Sequence, residues 1–142
     1  MNSNYFRTFL AVTAFGLAAC NPSSEPKWVV FHAAPEASIY TDPSTVHKDG
    51  DNAEMWVLID YAQPQADKTG KQVLSDKLHY QYSCKDKTLS IIGTSAYAGH
   101  MGSGELINEN PDAPQVTPVE AGTIAEDMWK HACGIPVSTE PA

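Results

Sequence analysis

Apolar and polar residues alternate with a period of two along most of the chain and change to a helical period only near its end. The strongest alternation runs from Glu54 to Ala62, where Met55, Val57, Ile59 and Tyr61 share one face and Trp56 and Leu58 the other. Successive side chains of a strand point to opposite faces, so both faces of this segment need cover and it is expected to be a central strand. Gln72–Cys84 is more one-sided. It sets Leu74, Leu78, Tyr80, Tyr82 and Cys84 against Ser75, Lys77, His79 and Gln81, with Val73 and Asp76 blurring its start. One buried and one wet face follow from that pattern. Thr88–Ala98 is the second arm of a hairpin through Lys85-Asp86-Lys87, and Gly93 marks a bulge within it. Shorter strands are expected at Trp28–Ala33, Ser38–Thr41 and Glu105–Asn108. Ser44–Lys48, Asp49-Gly50, Gln63–Gly70 and the proline-containing stretch leading to Gly122 read as turns and loops.

The helical period occupies Thr123–Cys133. At 100° per residue Ile124, Ala125, Met128, Trp129, Ala132 and Cys133 fall on one half of the wheel, opposite Glu126, Asp127 and Lys130. Thr123 followed by Glu126 forms a capping box, Glu126 and Lys130 make a favourable i,i+4 pair, and Gly134 and Pro136 supply the stop. So short a helix is marginal alone, and its apolar half requires a partner.

The N-terminus changes the picture from fold to location. One cation, Arg7, precedes a mostly apolar run from Phe9 to Ala19 that ends on Cys20. The run is shorter than the roughly twenty residues that span a bilayer, so residues 1–19 read as a secretory signal peptide. Leu17-Ala18-Ala19-Cys20 resembles the lipobox of bacterial lipoproteins, in which the peptide is cut before the cysteine and the sulfur carries a diacylglyceryl group. Acyl chains such as palmitate at Cys20 would anchor the protein, since each buried methylene contributes about 0.8 kcal/mol. Asn21, in place of the aspartate that retains some lipoproteins at the inner membrane, points to the outer membrane. Residues 20–27 are then a lipidated tether, 28–133 one folded domain and 134–142 a flexible tail.

The charge is acidic, formally −8, and cleavage removes Arg7 but no acidic residue. An acidic domain without a basic stripe disfavours nucleic acid as a partner. Of the three cysteines, Cys20 is taken by lipid, which leaves Cys84 and Cys133 as an even pair in an oxidising compartment. They are expected to be bonded.

Candidate chemistry adds little. His32, His47, His79, His100 and His131 lack the spacing of metal pairs, and no Cys-x-x-Cys or His-Glu-x-x-His occurs. The chain has no Gly-x-Ser-x-Gly, and GHMGSG from Gly99 to Gly104 lacks the Gly-Lys-Ser/Thr of a phosphate loop, so its glycines serve turns of positive φ. Asp60, unusual inside a central strand, is expected near a solvent end or accepting backbone amides. Glu54 and Asp60 stand roughly 20 Å apart along the strand, too far for a carboxylate pair. Neither a catalytic centre, a metal nor a cofactor is expected. The apolar residues are the better clue. One short helix shields only part of one face, so Trp28, Trp56 and Leu58 are candidate interface residues on the other, unless loops cover them.

Several segments together resemble the surface-adhesin protein E family of bacterial envelope proteins. They are KWVVF, SIYTDPSTVHKDGDNAEMWVLIDYAQPQ, YSCKDKTLSI, AYAGHMGSGELI and TPVEAGTIAEDMWKHAC, in order from about Trp28 to Cys133. The resemblance implies an α+β fold, a single antiparallel sheet of about six strands with one C-terminal helix on its concave side. It also implies a staple between Cys84 and Cys133. The expected role is that of a lipid-anchored envelope protein that binds other proteins, a surface adhesin being one form of it. A periplasmic structural or assembly accessory is the alternative. The partners so implied are the membrane, through lipid on Cys20, a host-matrix or envelope protein, and a second copy in a homodimer.

Overall fold

The computed structural model describes residues 25–109 and 114–136. The expected signal peptide, Cys20, the expected tether up to residue 24 and the expected tail from residue 137 lie outside the described residues. Eight strands form one antiparallel sheet: β1 (Val29–Ala33), β2 (Ala37–Thr41), β3 (His47–Asp49), β4 (Asn52–Ala66), β5 (Gln72–Ser83), β6 (Thr88–Tyr97), β7 (Leu106–Glu109) and β8 (Thr117–Pro118). The helix α1 is Ile124–Cys133. Six strands run in the order β1-β2-β4-β5-β6-β7, while the short β3 and β8 pair with β4 and β6. This is the sheet-and-helix architecture that the hydrophobic pattern and the family resemblance predict.

The central position of β4 follows from its composition. Met55 and Val57 are fully buried on the helix side, where they join Ala53, Leu78, Tyr82, Met128, Trp129 and Ala132 in one core. β2 and β3 lie end to end along the same edge of β4, separated by a 3₁₀ turn at Pro43–Thr45. At that gap the Trp56 amide would lack a ladder partner, and the Thr45 hydroxyl accepts it at 3.1 Å. Asp42, buried at the start of the turn, accepts the amides of Ser44 and Lys27, both at 2.9 Å. Burial works against its charge, but the Ser44 and Lys27 bonds prevail and hold the carboxyl below its ordinary range. Lys27 is therefore fixed to the domain, and the tether ends one residue earlier than the sequence suggests.

The helix is fastened at both ends. Cys133 is bonded to Cys84 across a sequence separation of 49, Lys48 Nζ donates to the Cys133 carbonyl at 3.0 Å, and Gly134 takes the left-handed conformation that ends the helix. At its start Thr123 accepts the Glu126 amide. The Glu126 carboxylate reaches back one residue further than a capping box requires, to the Gly122 amide at 2.9 Å, because its other oxygen is held by Lys87 at 2.6 Å. Between these ends the Trp129 indole donates to the Ser83 carbonyl at 2.9 Å.

Two segments expected to be loops are sheet. β4 continues through Gln63 to Ala66 after an irregularity beyond Asp60. Thr117–Pro118 pairs with Thr88 and Leu89, which carries Val119 into the core. The first pairing closes the β4–β5 hairpin beyond an irregularity, and the second is made with a strand distant in sequence, so local turn residues reveal neither.

Replacing Cys84 and Cys133 by serine together is expected to lower stability by roughly 4 kcal/mol, the chain entropy of a loop of this size, measured by urea unfolding. Glu126 supplies a pH test. The Lys87 hydrogen bond, then the Gly122 amide and the Lys130 charge, hold its carboxyl at about 2 against an ordinary 4.5. A depressed folded value means that its contribution is complete above pH 4.5 and disappears as the pH falls through about 2. The stability gap between the protein and its Glu126→Gln variant should be constant above that window and close within it.

Candidate functional site

On β4 the side chains Glu54, Trp56, Leu58 and Asp60 point away from the helix. Their ladder partners on β5 are Gln81, His79, Lys77 and Ser75, and those pair in turn with Ser90, Gly93, Ser95 and Tyr97 of β6. Together they form the outer face of the sheet, which has two unlike halves.

The first half is an open aromatic cluster. The Trp56 and His79 rings stack with centroids 4.5 Å apart and planes inclined by 8°. His79 Nε2 lies 3.2 Å from Glu54, whose other oxygen accepts from the Gln81 amide at 3.3 Å. The tryptophan is thus held in one orientation while part of it remains exposed. Gly93 has no side chain to stand beside it, and a groove of about 380 Å³ opens there between Trp56, Ser95 and Glu109. The ladder slips by one residue beside Gly93, where Ile92 is the extra residue of the expected bulge.

The second half is roofed by the loop from Gly99 to Gly104. Ser75, fully buried, donates to the Gly99 carbonyl at 2.5 Å and accepts the Gly102 amide at 2.8 Å. Asp60 accepts the Met101 amide at 2.7 Å and lies 3.2 Å from His100 Nδ1. Its place in the strand is explained by that backbone bond. Gly102 takes φ 69°, a left-handed conformation that favours glycine, and a Cβ there would displace the end of the Lys77 side chain. Met101 is the costlier residue: at φ 55° it is left-handed without being glycine, and it is 38% exposed. Lys77 lies under this loop with its ammonium 4.8 Å from the Tyr97 ring centroid.

This roof corrects one expectation. Leu58 is 0% exposed, with its side chain close beneath Gly102, and cannot contact a partner. Trp56 does face outward. Trp28, partly exposed, precedes the outermost strand β1, and β2 separates that strand from β4, so the two tryptophans belong to different parts of the sheet. His79 and Glu54 were not legible as a unit, since they are far apart in sequence and only strand register joins them. Among the described residues no three His, Cys, Asp or Glu side chains converge as metal ligands, and no helix is long and apolar enough to cross a membrane.

The family model of surface-adhesin protein E matches residues 28–134. The chain belongs to that family. A comparison with curated protein sequences gives no match. Among solved structures, crystal form II of Haemophilus influenzae protein E aligns with a TM-score of 0.58 at 12% identity, covering 68% of this chain and 80% of that one. Protein E from non-typeable Haemophilus influenzae aligns at 0.54 and 11% identity, covering 75% and 83%. The selenomethionine form of Haemophilus influenzae protein E gives 0.57 and 10%, covering 78% and 95%. At such identities the likeness concerns the fold alone. Family membership carries the role, which is binding to host or other proteins as a surface adhesin, from an exposed place in the cell envelope.

The outer loop should depend on Asp60. Asp60→Ala is expected to cost about 1–3 kcal/mol and to speed amide exchange at Met101 and Gly102, whereas Met101→Gly should raise stability by about 1 kcal/mol by relieving the left-handed backbone. Unfolding curves and hydrogen exchange measure both.

Proposed function

We propose that this protein is a non-enzymatic adhesin, anchored in the outer membrane by acyl chains on Cys20 and displayed outward, and that it grips a host matrix protein with the outer face around Trp56. The supporting observation is the Trp56–His79 stack, fixed by Glu54 and open to solvent beside a groove. Tryptophan is enriched among interface residues that dominate binding energy, and one already held in place loses little conformational freedom on binding. The tether of residues 20–26 sets the domain off from the lipid. A second copy is a further partner for this protein: β1, the outermost strand on its side, leaves Val29 and Val30 more than half exposed, and edge strands of this kind pair readily.

The test uses intact cells and purified full-length protein. Protease treatment of cells should remove the domain, and solid-phase binding to a panel of matrix proteins should find a ligand whose affinity falls more than tenfold in Trp56→Ala, a loss of about 2 kcal/mol, with the melting temperature unchanged. Full protection of the domain in intact cells, with capture of envelope proteins alone, would replace this reading by the periplasmic accessory. Light scattering reports the dimer.

A further inference from the structure

Among the described residues the helix-side face of the sheet is covered by α1 at the end near Cys84. The ladder row of Ile59, Asp76, Ala96 and Asn108 lies on that face, since Ile59 packs against the core. Over its far end the sheet forms an open cleft of about 360 Å³. The cause is an irregularity in β4: between the pairs Asp60–Ser75 and Gln65–Val73 that strand advances five residues while β5 advances two. Three surplus residues re-aim the hairpin end, and its residues 65–68 become one wall. Asp67 keeps this wall rigid, because its Oδ1 accepts the amides of Thr69 and Lys71 and the Thr69 hydroxyl.

The floor is apolar and the walls are polar. Ala96 is buried at the base, and Gln65, Asp76, Thr94 and Asn108 converge around it. Asp76 is oriented from behind: Tyr61 donates to its Oδ2 at 2.7 Å, and burial followed by the Asp76 carboxylate pushes the Tyr61 phenol well above its ordinary range, so it remains a donor. Asp76 Oδ1 has no hydrogen-bond partner among the described residues. Thr94 and the carboxamides of Gln65 and Asn108 offer donors and acceptors together. Asp76 and Asp67 oppose an anionic ligand, and Lys68 in the same wall offsets one of these two charges and so weakens the attraction for a cation. What remains is a neutral molecule with many hydroxyl groups and an apolar face, and the volume falls in the small-ligand range of about 300–1,000 Å³.

We infer that the cleft between the β4–β5 hairpin end and the β6–β7 edge binds a neutral saccharide, one or two rings at the end of a glycan. Hydroxyl groups donate to Asp76 and exchange hydrogen bonds with Gln65, Thr94 and Asn108, while the C–H face of a ring rests on Ala96. This site opens on the opposite face of the sheet from Trp56, and Thr94 of β6 borders both it and the groove beside Trp56.

The experiment titrates full-length protein in detergent with lactose, N-acetyllactosamine and maltotriose, using sialyllactose and a tri-arginine peptide as anionic and cationic controls. Backbone amide shifts are followed by NMR. At least one neutral saccharide should move the Ala66 and Asn108 amides. Asn108→Ala, on an exposed position that leaves the fold intact, and Asp76→Asn should each weaken it about tenfold. A glycoprotein bearing the same terminal sugar should bind, and its enzymatically deglycosylated form should not, which separates a displayed glycan from free sugar. No shift with any neutral saccharide at about 10 mM, equal binding by both cleft variants, or shifts with tri-arginine alone would overturn the inference. The last result would mark the cleft as a pocket for basic side chains.

Discussion

Strand β4 carries apolar side chains on both faces, and such a strand is stable only if both are shielded from water. Met55 and Val57 on one side meet the helix, and Leu58 on the other meets the loop from Gly99 to Gly104. These covers differ in kind. The helix supplies buried apolar area, from Met128, Trp129 and Ala132, and is too short to persist without the sheet. The loop brings little hydrophobic area and is held by polar bonds, from Asp60 and Ser75. Each cover accordingly has its own fastening, the Cys84–Cys133 bond for the helix and a buried serine and a carboxylate for the loop.

Among the described residues neither cover reaches across its whole face, and the two areas left open by them are where binding is proposed. On the outer face Trp56 stays partly open, with its ring fixed by His79 and Glu54. On the helix side the cleft over Asp76 and Ala96 lies beyond the reach of a ten-residue helix. Both are built mainly on strand positions, so their side chains are set by the pleat and the ladder and need little reorganisation when a ligand arrives. Surface loops here chiefly support. The strain at Met101 belongs to the roof, where the Asp60 carboxylate compensates it by accepting the amide that the left-handed turn presents.

The elements were legible wherever a local period decides them. The two-sided alternation of β4, the hairpin of β5 and β6 and the capped amphipathic helix all follow from sequence spacing, because pleat and helical turn impose those periods on whichever residues are buried. The pairing of Cys84 with Cys133 was expected from the count of cysteines once Cys20 is assigned to lipid, and the single antiparallel sheet with its C-terminal helix followed from the family resemblance, whereas the strand order did not. Strand extent was less legible. The Gln63–Ala66 segment carries a proline and polar residues that argue for a loop, yet after an irregularity that contains Pro64 the ladder resumes at Gln65 and Ala66 because β5 offers them partners. Thr117–Pro118 is held in the same way by β6.

The sites lie at the far end of that scale. The sequence by itself determined that β4 has two apolar faces, that a helix covers one of them and that Trp56 lies opposite it, since these depend on residue type and period. Only the tertiary structure decided that Leu58 is sealed beneath Gly102, that His79 and Glu54 fix Trp56, and that three surplus residues in β4 open a polar cleft over Asp76. Each of these results from strand register or a bulge, which brings together residues distant along the chain. Register is set by the whole sheet packing at once, and no window of the sequence contains it.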